Sequence, residues 1–457
     1  MQNKACKSVF ETDNISSAIF TLAMPTIVSQ LITTIYNLAD TFWVGKLNDP
    51  YQLAALTVVF PTQLIMTAFG NLFGIGAGTC ISNCLGAKKY KKAGQASSFA
   101  VWWGCLTAII FSLITLFFRS PMLSLLGSTE SLNVYSNTYL DWVIVVGALP
   151  SIFNMIVANM IRGEGASLQS AVGLSMGGIL NIILDPFFVL PAFLGLEIKG
   201  AAIATLLSNF ATTVYFIILL IVRKKTSVIS LVPAMFSSAK SVGRDVIFTG
   251  VPSALQTLFS AVSNQVLNSL MIGYGEFAEA AVGVTKKIDA IPFGILTGLS
   301  QGASPLLAYN YGAKRDKKLK KTFKLSLTYC IITAVTVLII VELFAPSLIS
   351  FFVKDQTTMD YGTSFLRLHC ISIPFMSATL MFLSFFQAVG AKIRAFVLSI
   401  IRKGIVDIPM MFLMNMLIPM YGIIACQPIT DIISAVCGVI LFVFWNNKFH
   451  KISKNQN

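Results

Sequence analysis

Two aspartates stand in stretches that are otherwise largely apolar: Asp40 in Tyr36-Asn37-Leu38-Ala39-Asp40 and Asp185 in Asn181-Ile182-Ile183-Leu184-Asp185. A carboxylate in such a place can bind a proton or a small cation such as Na+, and ionisable groups at membrane depth are usually functional. Tyr36 and Asn181 each precede an aspartate by four residues, which puts each pair on one helical face. Tyr139 and Thr205 each stand about five residues into a further apolar stretch, and Asn154 stands deeper. At 1.5 Å of rise per residue, Asp40, Asp185, Tyr139 and Thr205 then share one depth, roughly 8 Å below one membrane boundary. The expected arrangement is a polar pocket in which burial and mutual repulsion disfavour two adjacent charges, so that a proton binds near neutral pH. A plainer alternative is that Asp40 pairs with Lys46 and holds helix ends together.

The second half offers less obvious chemistry. The place on its first helix equivalent to Asp40 is held by Leu267 and Asn268, without a carboxylate. Gln256, Asn264 and Asn268 can hydrogen-bond a substrate, or serve as helix–helix glue. Lys286 and Asp289 are spaced to form an ion pair, as are Lys403 and Asp407 four residues apart. Glu342 is expected near the interface, and Asp431 has no evident role. Arg162-Gly163-Glu164-Gly165 reads as a tight turn with a charge-capped helix start, or as a gate contact.

Other chemistries are disfavoured. The glycines of Gly74-Ile75-Gly76-Ala77-Gly78 lie inside a span with no strand before them, so they serve close helix packing and hold no nucleotide. No Walker lysine is present. His369 and His450 stand far apart, and the eight cysteines are scattered apart from Cys80 and Cys84, so neither a metal pattern nor a disulfide framework is expected. No cofactor is expected, and no nucleophile, base and metal set suggests an enzyme.

These residues need elements to position them. Of the 457 residues, 55% are hydrophobic and 11% charged, against roughly 25% charged in soluble domains. So few charges cannot cover a water-facing surface, and lipid must be the main solvent. Apolar runs predict twelve spans in two halves, an all-α membrane protein. The first half holds 15–45, 52–84, 94–118, 135–161, 166–190 and 200–222; the second holds 246–273, 280–309, 323–353, 364–389, 393–418 and 422–445. Leaving lobes at 1–225 and 226–457, these spans place most Lys and Arg on one side, which orients both termini toward the cytoplasm. The net charge of +14 is therefore an orientation signal, and no nucleic-acid partner is expected. Trp43, Trp102, Trp142 and Trp445 fall near span ends, as interfacial anchors should.

The halves repeat at an offset of about 225 residues, as internally duplicated transporters do. Gly86-Ala87-Lys88-Lys89 returns as Gly312-Ala313-Lys314-Arg315, and Met24-Pro25 and Val251-Pro252 both open a helix reaching Asn37 or Asn264. Six helices per half make the repeat parallel, with a cleft between two lobes that can rock.

Together, Tyr36–Gly45, Arg162–Gly165, Asn181–Pro186, Gly298-Leu299-Ser300-Gln301-Gly302 and the duplicated Gly-Ala-Lys resemble the multidrug and toxic compound extrusion (MATE) family over nearly the whole chain. The resemblance implies a two-lobed exporter of amphiphilic, often cationic, small molecules, driven by entering protons or sodium ions. It implies Asp40, Asn181, Asp185 and Thr205 as coupling-ion residues, with Tyr36, Tyr139 and Asn154 as polar neighbours. Carboxylates that one branch carries on helices 7 and 10 are missing here, which sides the chain with the DinF-like and MepA-like branch. A monomer in a bacterial plasma membrane is expected. A lipid-linked oligosaccharide or lipid flippase of the same superfamily is the alternative, and a passive channel a more distant one.

Overall fold

A computed structural model of the chain describes residues 9–47, 49–233, 235 and 240–454. No strand occurs among them, and twelve helical segments follow one another across the bundle. The first six are α1 (Ile15–Gly45), α2 (Pro50–Gly86), α3 (Tyr90–Phe117), α4 (Glu130–Leu140, Asp141–Val146 and Ala148–Gly163), α5 (Ser167–Val189) and α6 (Glu197–Val222). The second six are α7 (Lys240–Ile272), α8 (Glu276–Gly312), α9 (Asp316–Phe352), α10 (Gln356–Cys370 and Ile373–Ala388), α11 (Lys392–Ile400, Ile401–Ile405 and Asp407–Leu417) and α12 (Tyr421–Lys454). A short helix, Arg119–Leu125, joins α3 to α4.

Eight of the helices are individually long and apolar enough to span a membrane, and the bent helices α4 and α10 raise the number to ten. The other two are α8, with Glu276, Glu279, Lys286, Lys287 and Asp289, and α11, with Arg402, Lys403 and Asp407. Large apolar side chains such as Phe117, Val222, Leu343 and Phe444 remain exposed, as lipid-facing residues must.

The predicted spans recur with three differences. First, α2, α8 and α9 each run 37 residues, about 55 Å at the α-helical rise, longer than the hydrocarbon layer. The expected span of α2 falls short by only two residues at each end, whereas α9 starts seven residues earlier than expected because Asp316–Thr322 is Lys-rich and hydropathy did not reveal it. Second, α4 and α10 are bent by 48° and 43°. In α4 the bend follows a π-helical stretch, Asp141–Val146, and in α10 the chain restarts at Ile373 with Pro374 in its first turn. Both are recognised causes of kinks. Third, Pro25 and Pro252 lie inside α1 and α7 and do not open them.

The lobes meet through glycines. On α8, Gly302 rests on the Ala23 backbone and Gly298 on that of Ile27, while Gly294 sits beside Thr34. The related pair is α2 with α7: Gly76 lies against Val246, Gly250 against Leu72, and Asn71 donates to Thr257 at 3.1 Å. At the Lys-rich ends of α2 and α8 the duplicated motif meets its own copy. Gly86 touches the Tyr309 carbonyl and Gly312 the Asn83 carbonyl, and Lys88 and Lys314 both adopt positive φ, 58° and 55°. Missing side chains let backbones approach, the usual device of helix packing in lipid.

These contacts run from the Lys-rich ends to about the middle of α7 and α8. The α8 face that carries Gly302, Gly298 and Gly294 continues, in steps of three and four, to Ile291, Lys287 and Gly283, and there it is exposed. The α1 face of Ala23, Ile27 and Thr34 continues to Asn37, also exposed. A cleft therefore separates the lobes on the side away from the lysines.

Trp445 departs from expectation. It is buried against Phe385 and Phe442 in an aromatic cluster that includes Phe323 and Phe382, so it packs the core of the second lobe. Trp102 is half exposed and donates to the Leu231 carbonyl at 3.1 Å.

Candidate functional site

The first lobe holds the paired aspartates. Gly178 of α5 has no side chain to keep α1 away, so Ile32 and Tyr36 lie directly against it. Gly173 and Gly177 similarly admit Phe216 and Thr212 of α6. These approaches draw α1, α5 and α6 together around Asp40, Asp185, Asn181 and Thr205.

Tyr139 of α4 donates its hydroxyl to Asp40 Oδ2 at 3.1 Å, and Gln63 of α2 donates to the Tyr139 hydroxyl at 3.3 Å. On α5, Asn181 Nδ2 donates to Asp185 Oδ1 at 3.2 Å and to Thr205 Oγ1 at 3.3 Å. Asp185 is fully buried, with Asn181 and Tyr139 almost so. Because Tyr36 lies against Gly178, the α1 face that carries Tyr36 and Asp40 meets the α5 face that carries Gly178 and Asp185. Three buried oxygens remain without a hydrogen-bond partner: Asp40 Oδ1, Asp185 Oδ2 and Asn181 Oδ1. Unpaired buried acceptors are costly, so this set has unspent capacity for a proton or a hard cation, which takes oxygen ligands.

The other sequence candidates lie elsewhere. Asn154 is buried and bridges α4 to α6, donating to the Asn209 carbonyl at 2.8 Å and accepting from Thr213 at 2.9 Å. Lys46 lies over the Phe42 ring, and no ion pair joins it to Asp40 among the described residues. Across the cleft on α7, Gln256 is half-buried and Asn264 exposed, and Asn268 accepts from Lys286 at 2.7 Å.

The second lobe conceals a charged network that spacing along single helices did not reveal. Asp289 pairs with His369 of α10 at 3.2 Å, so the expected Lys286–Asp289 pair gives way to a partner on another helix. Arg402 of α11 pairs with Asp431 of α12 at 2.9 Å, both buried, which accounts for an aspartate that had no role. Lys403 does reach Asp407, at 3.6 Å, and also donates to Gln427 at 2.7 Å. Asp407 further accepts from Thr430 at 3.1 Å and from Ser263. The available signal was charge inside helices too long to be loops; the pairing itself depended on packing.

The Arg162–Gly165 turn does two jobs. Arg162 Nη1 crosses to the second lobe and donates to Gln301 of α8 at 3.0 Å, and to Asn159 at 3.2 Å. Buried Glu164 caps no helix start. It accepts from Ser227 and from the Val228 amide, each at 2.6 Å, and pairs with Arg223 at 3.3 Å, pinning the connection that leaves α6.

The MatE family model matches residues 25–187 and again 252–413, one copy in each half of the bundle. The chain belongs to the MatE family. The duplication read along the sequence is thus two copies of one family unit. Among curated proteins, the chain is 28% identical to the multidrug export protein MepA of Staphylococcus saprophyticus and 29% identical to that of Staphylococcus aureus, covering 94% of both chains in each case. Among solved structures, an outward-facing multidrug resistance MATE family transporter of the MOP superfamily superposes with TM-score 0.91 at 22% identity, covering 99% of this chain and 100% of the other. A MOP superfamily transporter from Pyrococcus furiosus superposes with TM-score 0.88 at 23% identity, covering 96% and 97%. The MatE fold, two lobes of six helices, is therefore shared along essentially the full length of this multi-pass membrane protein.

Proposed function

We propose that this MatE protein is a secondary active exporter of amphiphilic small molecules, exchanging them for protons or sodium ions across a bacterial plasma membrane. The observation that carries the reading is the set of three unpartnered oxygens on Asp40, Asp185 and Asn181 inside one lobe of a two-lobed bundle. Exporter names among relatives spanning nearly the whole chain support it. With the Lys-rich side toward the cytoplasm, both termini are cytoplasmic and the cleft faces outward. The moving bodies are 1–225 and 226–457, in a monomer.

In this scheme an ion from outside enters between α1, α5 and α6 and binds Asp40 and Asp185, with Asn181 and Thr205 completing the site. Neutralising one carboxylate removes their repulsion and lets α1 repack against α5. Because α1 also carries the contact with α8, its movement is transmitted to the junction between the lobes. Tyr139, held by Gln63, orients Asp40 for the exchange.

Ethidium efflux in proteoliposomes, under separately imposed proton and sodium gradients, tests the proposal. One gradient is expected to drive efflux in the wild type, and Asp40→Asn or Asp185→Asn should reduce it by at least about tenfold. Wild-type rates in both variants, or efflux indifferent to either gradient, would sink the scheme.

A further inference from the structure

Two lysines on the second lobe's wall of the cleft, Lys286 and Lys287, form no ion pair among the described residues. The three carboxylates of the network are engaged: Asp431 by Arg402, Asp407 by Lys403 and Asp289 by His369. Lys286 is left with the neutral amide oxygen of Asn268, 2.7 Å away. Lys287 beside it forms no ion pair among the described residues and is exposed. An unpaired ammonium at membrane depth is expensive, and here there are two in sequence.

Their position adds a second, independent argument. Lys287 lies on the α8 face that packs through Gly294, Gly298 and Gly302 against Thr34, Ile27 and Ala23. Continuing that antiparallel register sets Lys287 level with Leu38–Thr41, the depth of Asp40. On α7, the face that meets α2 through Val246, Gly250 and Thr257 continues to Asn264 and Asn268. The wall thus presents the exposed Lys287 ammonium and Asn264 amide, with the half-buried Lys286–Asn268 pair beside them, next to apolar Ile291, which is 42% exposed.

From this we infer that the wall formed by Asn264, Asn268, Lys286 and Lys287 binds the anionic group of an amphiphile, a carboxylate, sulfonate or phosphate joined to an apolar body. The inference rests on the export reading and deepens it. The transported class includes anionic and zwitterionic molecules, recognised on the lobe opposite the coupling carboxylates. Placing the two functions on opposite walls keeps an anionic substrate away from Asp40 and Asp185, where it would be repelled.

Dansylglycine and its methyl ester form a matched probe pair differing by one charge. Equilibrium binding to the full-length protein in phosphatidylcholine nanodiscs should favour the acid by roughly tenfold, as expected for a charge-assisted hydrogen bond. Lys286→Gln/Lys287→Gln should abolish that preference, Lys286→Arg/Lys287→Arg should retain it, and Lys354→Gln, far from the wall, should not alter it. A melting profile of each variant separates loss of binding from loss of fold. Equal wild-type affinity for acid and ester, or a preference surviving in the double glutamine variant, would overturn the inference. Repeating the titration with phosphatidylglycerol in the disc identifies the source: competition by this lipid assigns the wall to a headgroup, and its absence to a soluble amphiphile. No gradient is involved, so a charge preference without ethidium efflux would leave the anion wall standing and remove the export reading.

Discussion

Arg162 of α4 and Gln301 of α8 are 139 residues apart in the chain and joined by a 3.0 Å hydrogen bond across the two lobes. The guanidinium is buried and has no carboxylate partner among the described residues, so Gln301 and Asn159 carry its pairing. The contact lies on the side where the lobes touch and has to break if they rock apart there.

Arg162→Ala and Gln301→Ala should each weaken this junction. The expected cost is about 1.5–3 kcal/mol, the range for a hydrogen bond to a charged group, with the glutamine change the larger because it strands a buried guanidinium, whereas the arginine change removes the charge itself. Distance distributions between spin labels at the Lys-rich ends of α2 and α8 should broaden toward longer values in both variants. Unchanged distributions would show that the bond does not hold the lobes.

The reciprocal glycine contacts make a steric prediction. A methyl group at Gly86 would collide with the Tyr309 carbonyl, and one at Gly312 with the Asn83 carbonyl; neither backbone can rotate away. Gly86→Ala and Gly312→Ala should each destabilise the closed side by about 1–3 kcal/mol, the usual overpacking cost. A lowered melting temperature in detergent should accompany it. Gly283→Ala, where a methyl group meets open space, should leave the melting temperature in place.

For the Arg402–Asp431 pair, both groups are buried. Removing one partner strands the other, at a cost of about 3–5 kcal/mol, whereas replacing both by apolar residues of similar size is close to neutral. Arg402→Met and Asp431→Leu should therefore each lower the unfolding midpoint strongly, and the double variant should recover most of the loss. Additive losses in the double-variant cycle would mean that the two residues act separately.

A pH effect is expected outside the membrane. Asp13, just before α1, accepts from Lys318 at 2.7 Å, and that hydrogen bond together with the lysine's charge holds its carboxyl below the usual value of 3.8. For a depressed carboxylate, the stabilising contribution is present above the ordinary value and fades as pH falls through the lowered one. Amide exchange in Phe10–Asn14 should be slower in the wild type than in Asp13→Asn at neutral pH. The two rates should converge in acid, once Asp13 is protonated. A difference that persists there would assign the protection to other contacts, such as Phe10 stacked on Tyr309.

Much of this architecture is readable from the chain itself because lipid imposes a simple rule. A span must be a helix, since no water is present to satisfy a strand edge, and it must be long and apolar. Twelve segments and their duplication follow from counting residues along such helices, and so does the common level of Asp40 and Tyr139, which hydrogen-bond each other. The Lys403–Asp407 pair could be read for the same reason, as neighbours on one helical turn.

What the chain did not disclose depends on which helix lies beside which. Asp289 turned from Lys286 to His369, Asp431 found Arg402, Trp445 entered an aromatic core, and Gln63 came to hold Tyr139. Each choice joins residues on different helices, and neither spacing nor hydropathy encodes the rotation of one helix against another. That rotation is set by close packing, above all by glycines that admit one backbone against the next. Only the assembled bundle therefore decided where the buried charges were paired and which lysines were left without an ion pair among the described residues.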